Sequence, residues 1–467
     1  MKLSEIRATL KDIGMSPSKT LGQSFLHDQN LARWIVDQAQ ITPEDYVVEV
    51  GPGLGALTRF ILEKGAHVLA IEKDPRLANF LRARFGDEQI EILNMDALRF
   101  DPRVLFAHRR VKLIGNLPYN ISSPLLSRFL ESPNPISLSL FTLQKEMAMR
   151  LSASPCTHDY GSLTLRVQLH DRVNYLRSVP ATVFFPRPDV DSAVALLIPR
   201  DPLELPEHDG ELLSKLIRIG FSQRRKQLRK LLREYAHDWD AIALRLNIQA
   251  NARAEELSLL QWIGLANCIT PPPHGAMCSV DNEQLPVVDR NDRIMGCASR
   301  SKVHGNNLRH RAVHILIFNQ DGEVYLQQRS RWKNRHPLKW DSSAAGHVSA
   351  GEDYDETAQR ELNEELRVDI PLEKILRIAA SASTDQEFIC VYRGVITEHP
   401  VPNKCEIETG AFFTPAVVDG WTSARSEDFA PGFLACWKTY RQRMHFDSKQ
   451  SMRPEIFSVA SDAASTA

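Results

Sequence analysis

Short apolar runs alternate with amphipathic stretches throughout residues 1–202. Runs such as YVVEV at 46–50, HVLAIE at 67–72 and VKLIG at 111–115 have the length and the β-branched content of buried strands. The helical periodicity between these runs predicts a Rossmann-like α/β fold with a mostly parallel sheet. Residues 203–268 then follow a helical pattern, which predicts a small C-terminal helical subdomain.

A second folding unit is predicted after a proline-rich linker at 269–283. The runs AVHILIF and EVYLQQR flank Asn-Gln-Asp-Gly at 319–322, which is the pattern of a β-hairpin. Residues 284–445 are therefore expected to form an α+β domain that folds independently. The Ser- and Ala-rich end of the chain, 446–467, is predicted to be a flexible tail.

The composition is that of a globular protein with several domains. Its 467 residues suggest roughly three folding units, and the 43% hydrophobic and 25% charged residues are ordinary proportions. No apolar run approaches the ~18 residues of a membrane span, and the N-terminus lacks the pattern of a secretory signal. Seven cysteines without a CxxC pair are expected to be reduced thiols. A cytoplasmic protein with no membrane partner is predicted.

The net charge of −1 conceals a difference between the two halves of the chain. Residues 1–270 hold 34 Lys and Arg against 31 Asp and Glu, whereas residues 271–467 hold 23 against 27. A polyanionic partner is therefore expected to bind the first half.

A glycine-rich turn directly follows the first of these strands, where Gly51 and Gly53 lie within GPGLG. Glycines at a strand-to-helix turn let the backbone approach a ligand, although a tight turn or a dinucleotide site fits this motif alone equally well. The next strand ends at Glu72, whose carboxylate suits the hydroxyls of a ribose. The strand after it ends shortly before Asp96, which suits the amino group of an adenine. Because the ends of parallel strands meet at one edge, a nucleoside-containing cofactor is predicted there.

The tetrapeptide Asn116-Leu117-Pro118-Tyr119 follows the fourth strand and indicates the chemistry. An adenine amino nitrogen is a poor nucleophile because its lone pair is delocalised into the ring. The side-chain oxygen of Asn116 and the carbonyl of Pro118 are predicted to accept both amino hydrogens, and Tyr119 offers a stacking face for a base that has left its helix. The pattern predicts methyl transfer to an adenine amino group, with a simple strand-to-helix turn as the alternative.

With these motifs in place, residues 1–268 resemble the ribosomal RNA adenine dimethyltransferases, specifically the bacterial enzymes that dimethylate two adjacent adenosines near the 3′ end of 16S rRNA. The resemblance extends to GQSFLHD at 22–28, VFFPRPDVDSAV at 183–194 and FSQRRKQLR at 221–229. It implies S-adenosyl-L-methionine as the methyl donor and 16S rRNA in the immature small ribosomal subunit as the partner, with no role for DNA.

The resemblance also implies roles for individual residues. The tetrapeptide NLPY is the catalytic loop, and Phe184 and Phe185 help to enclose the target base. Ser24 stands where many members carry asparagine, which leaves a cofactor contact at this position open. The residues implied to contact S-adenosyl-L-methionine are Leu26, Gly51, Gly53, Glu72, Asp96 and Asn116.

Arginines near the end of the first half predict a face that binds RNA. On a single helix over 218–233, Arg218, Arg225 and Arg229 lie near one face and leucines lie on another. Such a face suits contacts with RNA phosphates, which make binding salt-dependent and largely independent of sequence. A solvated basic helix is the alternative.

An acidic helix is predicted in the second half, after the loop GHVSAGE at 346–352. In the sequence RELNEE that begins at residue 360, Glu361, Glu364 and Glu365 share one helical face, where like charges repel each other. A divalent cation removes this conflict, and carboxylate oxygens suit Mg²⁺ or Mn²⁺ beside a diphosphate. The alternative is an acidic, solvated helix.

This pattern is identified as a Nudix box, so that the second half resembles the Nudix hydrolases. The resemblance implies that the three glutamates bind metal, that Glu361 also serves in catalysis, that Arg360 orients Glu352, and that the substrate is a small molecule of the nucleoside-diphosphate type. Arg367 replaces the glycine that usually follows the helix. The segment before the box also resembles isopentenyl-diphosphate isomerases, but Ala345 stands where those enzymes have a cysteine, which favours a hydrolase.

The sequence thus predicts a fusion of an rRNA adenine N6-dimethyltransferase with a Nudix hydrolase. For the first half, the alternatives are methylation of large-subunit rRNA and a ribosome-assembly factor without catalysis. For the second half, the alternative is a catalytically silent or isomerase-like module.

Overall fold

The computed structural model describes residues 1–18, 22–86, 89–118, 121–130, 132–271 and 283–451, without the side chains of 445–451. Residues 272–282 of the predicted linker, 452–467 of the predicted tail and Tyr119 of the predicted catalytic loop lie outside this description. Within the described residues, no helix is both long enough and apolar enough to span a bilayer.

The chain divides into two compact units. The first unit consists of Met1–His274 with Ala416–Ala424, and the second consists of Gly275–Pro415 with Arg425–Ala467.

A mixed sheet forms the centre of the first unit. The strands of this unit are β1 (Phe25–Leu26), β2 (Tyr46–Val50), β3 (His67–Glu72), β4 (Ile90–Asn94), β5 (Val111–Asn116), β6 (Ile136–Gln144), β7 (Asp171–Val179), β8 (Phe184–Phe185) and β9 (Ser192–Pro199). The main sheet has the order β4-β3-β2-β5-β6-β9-β7. Its strands from β4 to β6 are parallel, whereas β9 runs antiparallel to both β6 and β7. The predicted Rossmann-like α/β fold is confirmed.

Both faces of this sheet are covered, which explains the almost continuous apolar runs of the parallel strands. Val47 packs in the hydrophobic core on one face and Val48 in the core on the other. The helices in the longer segment of the first unit are α1 (Leu3–Asp12), α2 (Gln29–Gln38), α3 (Thr58–Glu63), α4 (Pro75–Phe85), α5 (Ser122–Leu130), α6 (Lys145–Leu151), α7 (Ser162–His170), α8 (Gly210–Gly220), α9 (Leu228–Leu231), α10 (Trp239–Leu246) and α11 (Leu259–Ile269).

The prediction of one basic helix over 218–233 is wrong. Helix α8 ends at Gly220, where an added Cβ atom would lie 2.5 Å from the ring of Trp262, and a short 3-10 turn follows. The N–H of Leu228 then donates a hydrogen bond to the carbonyl of Ala252 at 2.9 Å, which starts α9 in a new position. Close packing around the tryptophan therefore breaks the helix that the pattern of charges suggested.

The second unit is built around another mixed sheet. The strands of this unit are β10 (Gln284–Val288), β11 (Ile294–Ser299), β12 (His310–Phe318), β13 (Val324–Arg329), β14 (Trp340–Asp341), β15 (Ala344–His347), β16 (Glu373–Ile378), β17 (Glu387–Val395) and β18 (Ile407–Phe413). Strands β10 and β11 pair with each other in a separate sheet. The remaining helices of the chain are α12 (Arg300–Gly305), α13 (Tyr354–Leu366), α14 (Pro415–Ala424) and α15 (Pro431–Ser451). The sheet has the order β14-β13-β12-β17-β16, with β15 on β12 and β18 on β13.

Two local predictions for the second unit can be compared with this structure. The hairpin is confirmed, since β12 pairs with β13 and Gly322 adopts a φ of 77° in the turn. Asp353 caps the N-terminus of helix α13. Arg367 directly follows the last residue of the helix and has a left-handed φ of 55°. The left-handed turn that usually contains a glycine after this helix is thus present, although an arginine occupies the position.

The left-handed conformation of Arg367 predicts that Arg367→Gly stabilises the second unit. A side chain in this region costs roughly 1–2 kcal/mol, which the greater freedom of glycine in the unfolded chain offsets in part, so that a gain of about 0.5–1 kcal/mol is expected. Calorimetric unfolding of the full chain measures the gain. Arg367→Ala is the control, because it removes the same side chain but keeps the Cβ atom. An equal gain in both variants would contradict the prediction.

Candidate functional site

The residues predicted to bind the cofactor come together in one cavity of the first unit. This cavity lies at the carboxyl ends of β2, β3 and β5, where open parallel sheets bind ligands. Its lining includes the predicted cofactor residues and part of the predicted catalytic loop: Leu26, Gly51, Gly53, Glu72, Asp96, Asn116, Leu117 and Pro118.

The glycine-rich turn after β2 needs backbone conformations that favour glycine. Gly51, Gly53 and Gly55 have φ angles of 68°, 60° and 79°. A Cβ atom on Gly55 would lie 2.5 Å from the ring of Phe85, so that a larger residue would also disturb α4. The N–H of Gly53 donates a hydrogen bond to Glu72 Oε2 at 3.1 Å, which joins this turn to the end of β3.

The two acidic residues predicted for this site have different surroundings. Glu72 accepts hydrogen bonds from the N–H groups of Gly53 at 3.1 Å and Asp74 at 2.8 Å. Burial nevertheless raises the pKa of its carboxyl group. Asp96 accepts a hydrogen bond from Lys73 Nζ at 2.8 Å, and this bond lowers the pKa of Asp96. Asp96 is therefore stabilised as an ion, whereas Glu72 is oriented by backbone dipoles.

Asn116 ends β5 and is oriented by a backbone carbonyl. Its amide nitrogen donates a hydrogen bond to the carbonyl of Ser24 at 3.1 Å, which leaves the side-chain oxygen as an acceptor. The Ser24 hydroxyl in turn donates to the carbonyl of Pro186 at 2.6 Å. The serine that replaces the usual asparagine thus joins the segment before β1 to the segment after β8.

The carbonyl of Pro118, which is predicted to accept an adenine amino hydrogen, has two hydrogen-bond donors within the chain. It accepts hydrogen bonds from the N–H of Ile121 at 3.1 Å and from the hydroxyl of Ser122 at 3.0 Å. An adenine amino hydrogen would have to share this oxygen with these donors or replace one of them. The side chain of Leu117 is buried, and its N–H donates to the carbonyl of Thr142, which holds the loop against β6.

The structure separates the two phenylalanines predicted to enclose the target base. Strand β8 pairs with β1 so that Phe184 lies opposite Leu26, and Phe184 lines the cavity. Phe185 packs with residues of α1, and the guanidinium carbon of Arg7 lies 5.0 Å from the centre of its ring. Phe184 therefore belongs to the cavity, whereas Phe185 belongs to the contact between β8 and α1.

A second cavity lies in the second unit, and Glu361, Glu364 and Glu365 of α13 all line it. Glu365 is buried and accepts hydrogen bonds from Gln327 Nε2 at 2.7 Å and from the N–H of Ala345 at 3.3 Å. Burial raises the pKa of Glu361 to about 8, with a further contribution from the charge of Glu365. Positively charged side chains line the same cavity: Arg300, Arg329, Lys333, Arg335 and Arg360.

Arg360 joins three acidic side chains of the predicted box. Its guanidinium contacts Glu352 at 2.9 Å, Glu361 at 2.9 Å and Glu364 at 3.1 Å. In the described part of the chain, the carboxylate oxygens of the three α13 glutamates Glu361, Glu364 and Glu365 do not all lie within 4.8 Å of one another. Glu361 and Glu364 contact the same guanidinium nitrogen of Arg360, so that a metal ion held by all three glutamates would share these carboxylates with Arg360.

Two protein families match separate parts of the chain. The family described as ribosomal RNA adenine dimethylase matches residues 15–270. The chain belongs to the ribosomal RNA adenine dimethylase family. Residues 308–433 match the NUDIX domain, so that the second unit contains a NUDIX domain. Both resemblances found in the sequence motifs are confirmed.

Relatives of known name cover the dimethylase-family part of the chain. Ribosomal RNA small subunit methyltransferase A of Alcanivorax borkumensis is 41% identical over 277 residues, which are 57% of this chain and 98% of that protein. The protein of the same name from Chlorobium phaeobacteroides is 38% identical over 263 residues, 56% and 97% of the two chains. Among solved structures, the 23S rRNA methyltransferase ErmE is 28% identical with a TM-score of 0.44, covering 52% of this chain and 99% of its own.

The cavity of the dimethylase-family unit also contains a carboxyl group that the sequence analysis does not single out. Glu49 is 1% exposed, and its Oε2 accepts a hydrogen bond of 2.6 Å from the hydroxyl of Thr58. Burial raises the pKa of Glu49 to about 7. The signal in the sequence is a charged residue within the otherwise apolar end of a buried strand.

The three arginines predicted to form one RNA-binding face do not share a groove in the dimethylase-family unit. Arg218 lines a surface groove together with Arg166 and Lys215. Arg225 and Arg229 are exposed but are not part of its lining. The helix α7 thus contributes a basic side chain that the pattern within 218–233 could not reveal.

The NUDIX domain contains a histidine group that the sequence analysis misses. Ligand nitrogens of His304, His310 and His347 all lie within 4.8 Å of one another. Glu387 Oε1 accepts a hydrogen bond from His347 Nε2 at 3.2 Å and lies 3.5 Å from His310 Nε2. Burial lowers the pKa of His304 to about 3 and that of His347 to about 4, which favours the neutral imidazoles that bind metals. Irregular spacing along the chain hides this group from sequence analysis.

Proposed function

We propose that the dimethylase-family unit transfers methyl groups from S-adenosyl-L-methionine to the N6 amino groups of two adjacent adenosines near the 3′ end of 16S rRNA, within the immature small ribosomal subunit. The observation that carries the proposal is Asn116 in the wall of the cavity, with its amide nitrogen bound to the Ser24 carbonyl. The names of the small-subunit methyltransferase relatives support the choice of RNA.

The chemistry of the cavity fits the cofactor. Glu72 suits the two hydroxyls of a ribose, Asp96 suits an adenine amino group, and the turn at Gly51 and Gly53 lets the backbone lie close to the ligand. Leu26 provides an apolar wall beside them. When bound, S-adenosyl-L-methionine supplies an electrophilic methyl group on a sulfonium sulfur.

The residues of the chain prepare the adenine amino group for attack. Asn116 Oδ1 accepts one amino hydrogen and thereby favours a localised lone pair on the nitrogen. Because the carbonyl of Pro118 already accepts two hydrogen bonds, we assign Pro118 to holding the loop at the start of α5. Phe184 and Tyr119 contact the ring of the base, which offsets part of the cost, about a few kcal/mol, of removing it from its stack. The proton leaves the nitrogen after transfer.

We assign the basic groove of this unit to RNA phosphates. Arg218, Arg166 and Lys215 supply its positive charge, and Arg225 is exposed outside it. Arg229 contributes less, because it forms an ion pair with Asp240 at 3.4 Å. Contacts of this kind position the RNA, and the cavity selects the base.

Methyl transfer is expected to fall at least about 100-fold in Asn116→Ala, because a hydrogen bond that acts on the reacting nitrogen is lost. The assay measures labelled methyl groups from S-adenosyl-L-methionine on small ribosomal subunits that lack the modification, with large-subunit rRNA as a second substrate. Asn79→Ala, an exposed asparagine of α4, is the matched control and should keep full activity.

Three results would contradict the proposal in different ways. Transfer to large-subunit rRNA alone would indicate the other RNA as substrate. Binding of cofactor and small subunits without transfer by the wild type would indicate an assembly factor. Undiminished transfer by Asn116→Ala would leave the unit an enzyme but remove the proposed role of this residue.

We also propose that the NUDIX domain hydrolyses a small diphosphate in the presence of Mg²⁺ or Mn²⁺. The observation that favours this second function is one cavity that combines carboxylates of α13 with arginine and lysine side chains. The cations suit the diphosphate, while Glu361, Glu364 and Glu365 would hold the metal, and Arg360 contacts the first two of them. When bound, the metal would supply Lewis-acid activation of water, and Glu361 is the residue assigned to accept the proton. Ala345 lacks the thiol expected of an isomerase.

The substrate class includes nucleoside diphosphates and smaller diphosphate esters. Among the described residues that line this cavity, histidine provides the aromatic rings, and no Phe, Tyr or Trp is present to stack on a nucleobase. A panel that contains both classes is therefore needed.

Phosphate release from this panel is expected to fall at least about 100-fold in Glu361→Gln, because the variant loses both a metal ligand and the base. Glu356→Gln on the same helix is the matched control, since glutamine can keep its capping hydrogen bond. Equal rates in Glu361→Gln and the wild type, or no release from any diphosphate by the wild type, would contradict the proposed hydrolase.

We further propose that the histidine group of the NUDIX domain holds a transition metal. The nitrogen donors of His304, His310 and His347, with one oxygen of Glu387, match the ligand preferences of Mn²⁺ or Zn²⁺ better than those of Mg²⁺. Among the described residues, the buried Nε2 atom of His304 has no hydrogen-bond partner.

Elemental analysis of the full chain after dialysis against Zn²⁺ or Mn²⁺ tests this site. About one ion per chain is expected in the wild type, and His347→Ala should bind at least about 100-fold more weakly because a direct ligand is lost. His336→Ala is the control, since this histidine lines the same cavity outside the group. Equal metal content in His347→Ala and the control would assign the metal to other residues.

A further inference from the structure

An arginine contacts the histidine group of the NUDIX domain. Nη1 of Arg335 lies 2.7 Å from Nδ1 of His304, and Nη2 of the same guanidinium pairs with Asp385 Oδ2 at 3.0 Å. A guanidinium only donates hydrogen bonds, so Nδ1 of His304 is the acceptor and carries no hydrogen. A neutral imidazole has one hydrogen on its two nitrogens, and in His304 this hydrogen is therefore on Nε2.

The hydrogen on Nε2 of His304 has no acceptor. This nitrogen is buried, and the described part of the chain offers it no hydrogen-bond partner. The neighbouring ring of His310 has the opposite arrangement, because its Nδ1 donates to the carbonyl of Leu308 at 2.9 Å and its Nε2 keeps a lone pair. Histidines that bind metals usually have this second arrangement. The ring of His310 is therefore set for metal binding through Nε2, whereas that of His304 is not.

The contact with Arg335 and metal binding by His304 exclude each other. If Nδ1 of His304 is the metal ligand, its lone pair is no longer available to the guanidinium. If Nε2 is the ligand, the ring hydrogen is on Nδ1, which then cannot accept a hydrogen bond from Arg335. Whichever nitrogen binds, Arg335 has to leave His304 before this ring can bind a metal together with the other two histidines.

A diphosphate in the same cavity can compete for this arginine. Arg335 lines the cavity for which a diphosphate substrate is proposed, and its guanidinium is shared between His304 and one carboxylate, that of Asp385. A guanidinium can bind two phosphate oxygens side by side, and such charge-assisted pairs are stronger than a hydrogen bond to a neutral imidazole.

We propose that Arg335 is a positioning residue that couples the two ligands of the NUDIX domain. A diphosphate binds the guanidinium in place of His304, and the released imidazole completes the histidine metal site. The inference rests on the proposed diphosphate and histidine metal sites. Because coupling between two bound ligands is reciprocal, the metal raises the affinity for the diphosphate by the same factor as the diphosphate raises the affinity for the metal.

The position of the ring hydrogen is the first test. Nitrogen NMR of the metal-free full chain, labelled with ¹⁵N in its histidine rings, distinguishes the two neutral forms, and His304→Gln identifies the signals of His304. The hydrogen is expected on Nε2. A hydrogen on Nδ1 of His304 would overturn the inference. This measurement needs no arginine variant, so it is decisive even if the variant below does not fold.

The metal affinity is the second test, with Co²⁺ as the probe because its visible absorption reports nitrogen ligands. Arg335→Met should bind Co²⁺ at least about tenfold more tightly than the wild type, since His304 is then free. Arg300→Met is the matched control and should have a smaller effect. Arg300 lines the same cavity and lies one turn before His304 in α12, but it is paired with Glu283. Equal tightening in both variants would assign the effect to charge alone and overturn the inference.

Methylenediphosphonate, a diphosphate analogue with a carbon bridge, tests the coupling. It should tighten the binding of Co²⁺ to the wild type by about tenfold, but not to Arg335→Met. Because the analogue also chelates Co²⁺, its effect on Arg335→Met measures the chelation, and the difference between the two proteins measures the coupling. An equal effect on both proteins would overturn the inference.

Two other results would reject the sites on which the inference rests, and they differ from the outcomes above. Co²⁺ absorption that is unchanged in His347→Ala would reject the histidine metal site. Calorimetry that detects no binding of methylenediphosphonate to the wild type or to Arg335→Met would reject the diphosphate cavity.

Discussion

The register of parallel strands is the constraint on which both sites depend. In the first unit, β2 lies between β3 and β5, with Val50 opposite both Ile71 and Gly115. The residues that follow these three positions therefore come to one edge, although they are far apart in the sequence. In the second unit, the parallel pairing of β12 with β17 places His310 opposite Glu387 in the same way.

Both cavities also bury carboxyl groups that their surroundings do not fully neutralise. Glu49 and Glu72 are held by a hydroxyl and by backbone N–H groups, and burial raises the pKa of each. In the NUDIX domain, burial raises the pKa of Glu361, and the charge of Glu365 adds to this effect. A positively charged ligand in either cavity would relieve this electrostatic cost.

Packing explains where predictions from local pattern failed. The arginines of 218–233 have helical spacing, but Gly220 lies against Trp262 and the helix ends there. Packing also gives the carbonyl of Pro118 two hydrogen-bond donors, Ser122 and Ile121, at the start of α5. Neither neighbour follows from the motif itself. Arg367 is the opposite case, because the turn persists without its glycine.

The sequence by itself determined the order of the strands, the glycine-rich turn, the position of the tetrapeptide after β5 and the acidic helix, because each depends on periodicity or on residues within one short segment. Only the tertiary structure decided that Glu49 shares a cavity with Glu72, and that His304 and His310 meet His347. Those groups arise from strand pairing and burial between distant segments. Side chains brought together in this way have no fixed spacing along the chain, so that no linear pattern can contain them.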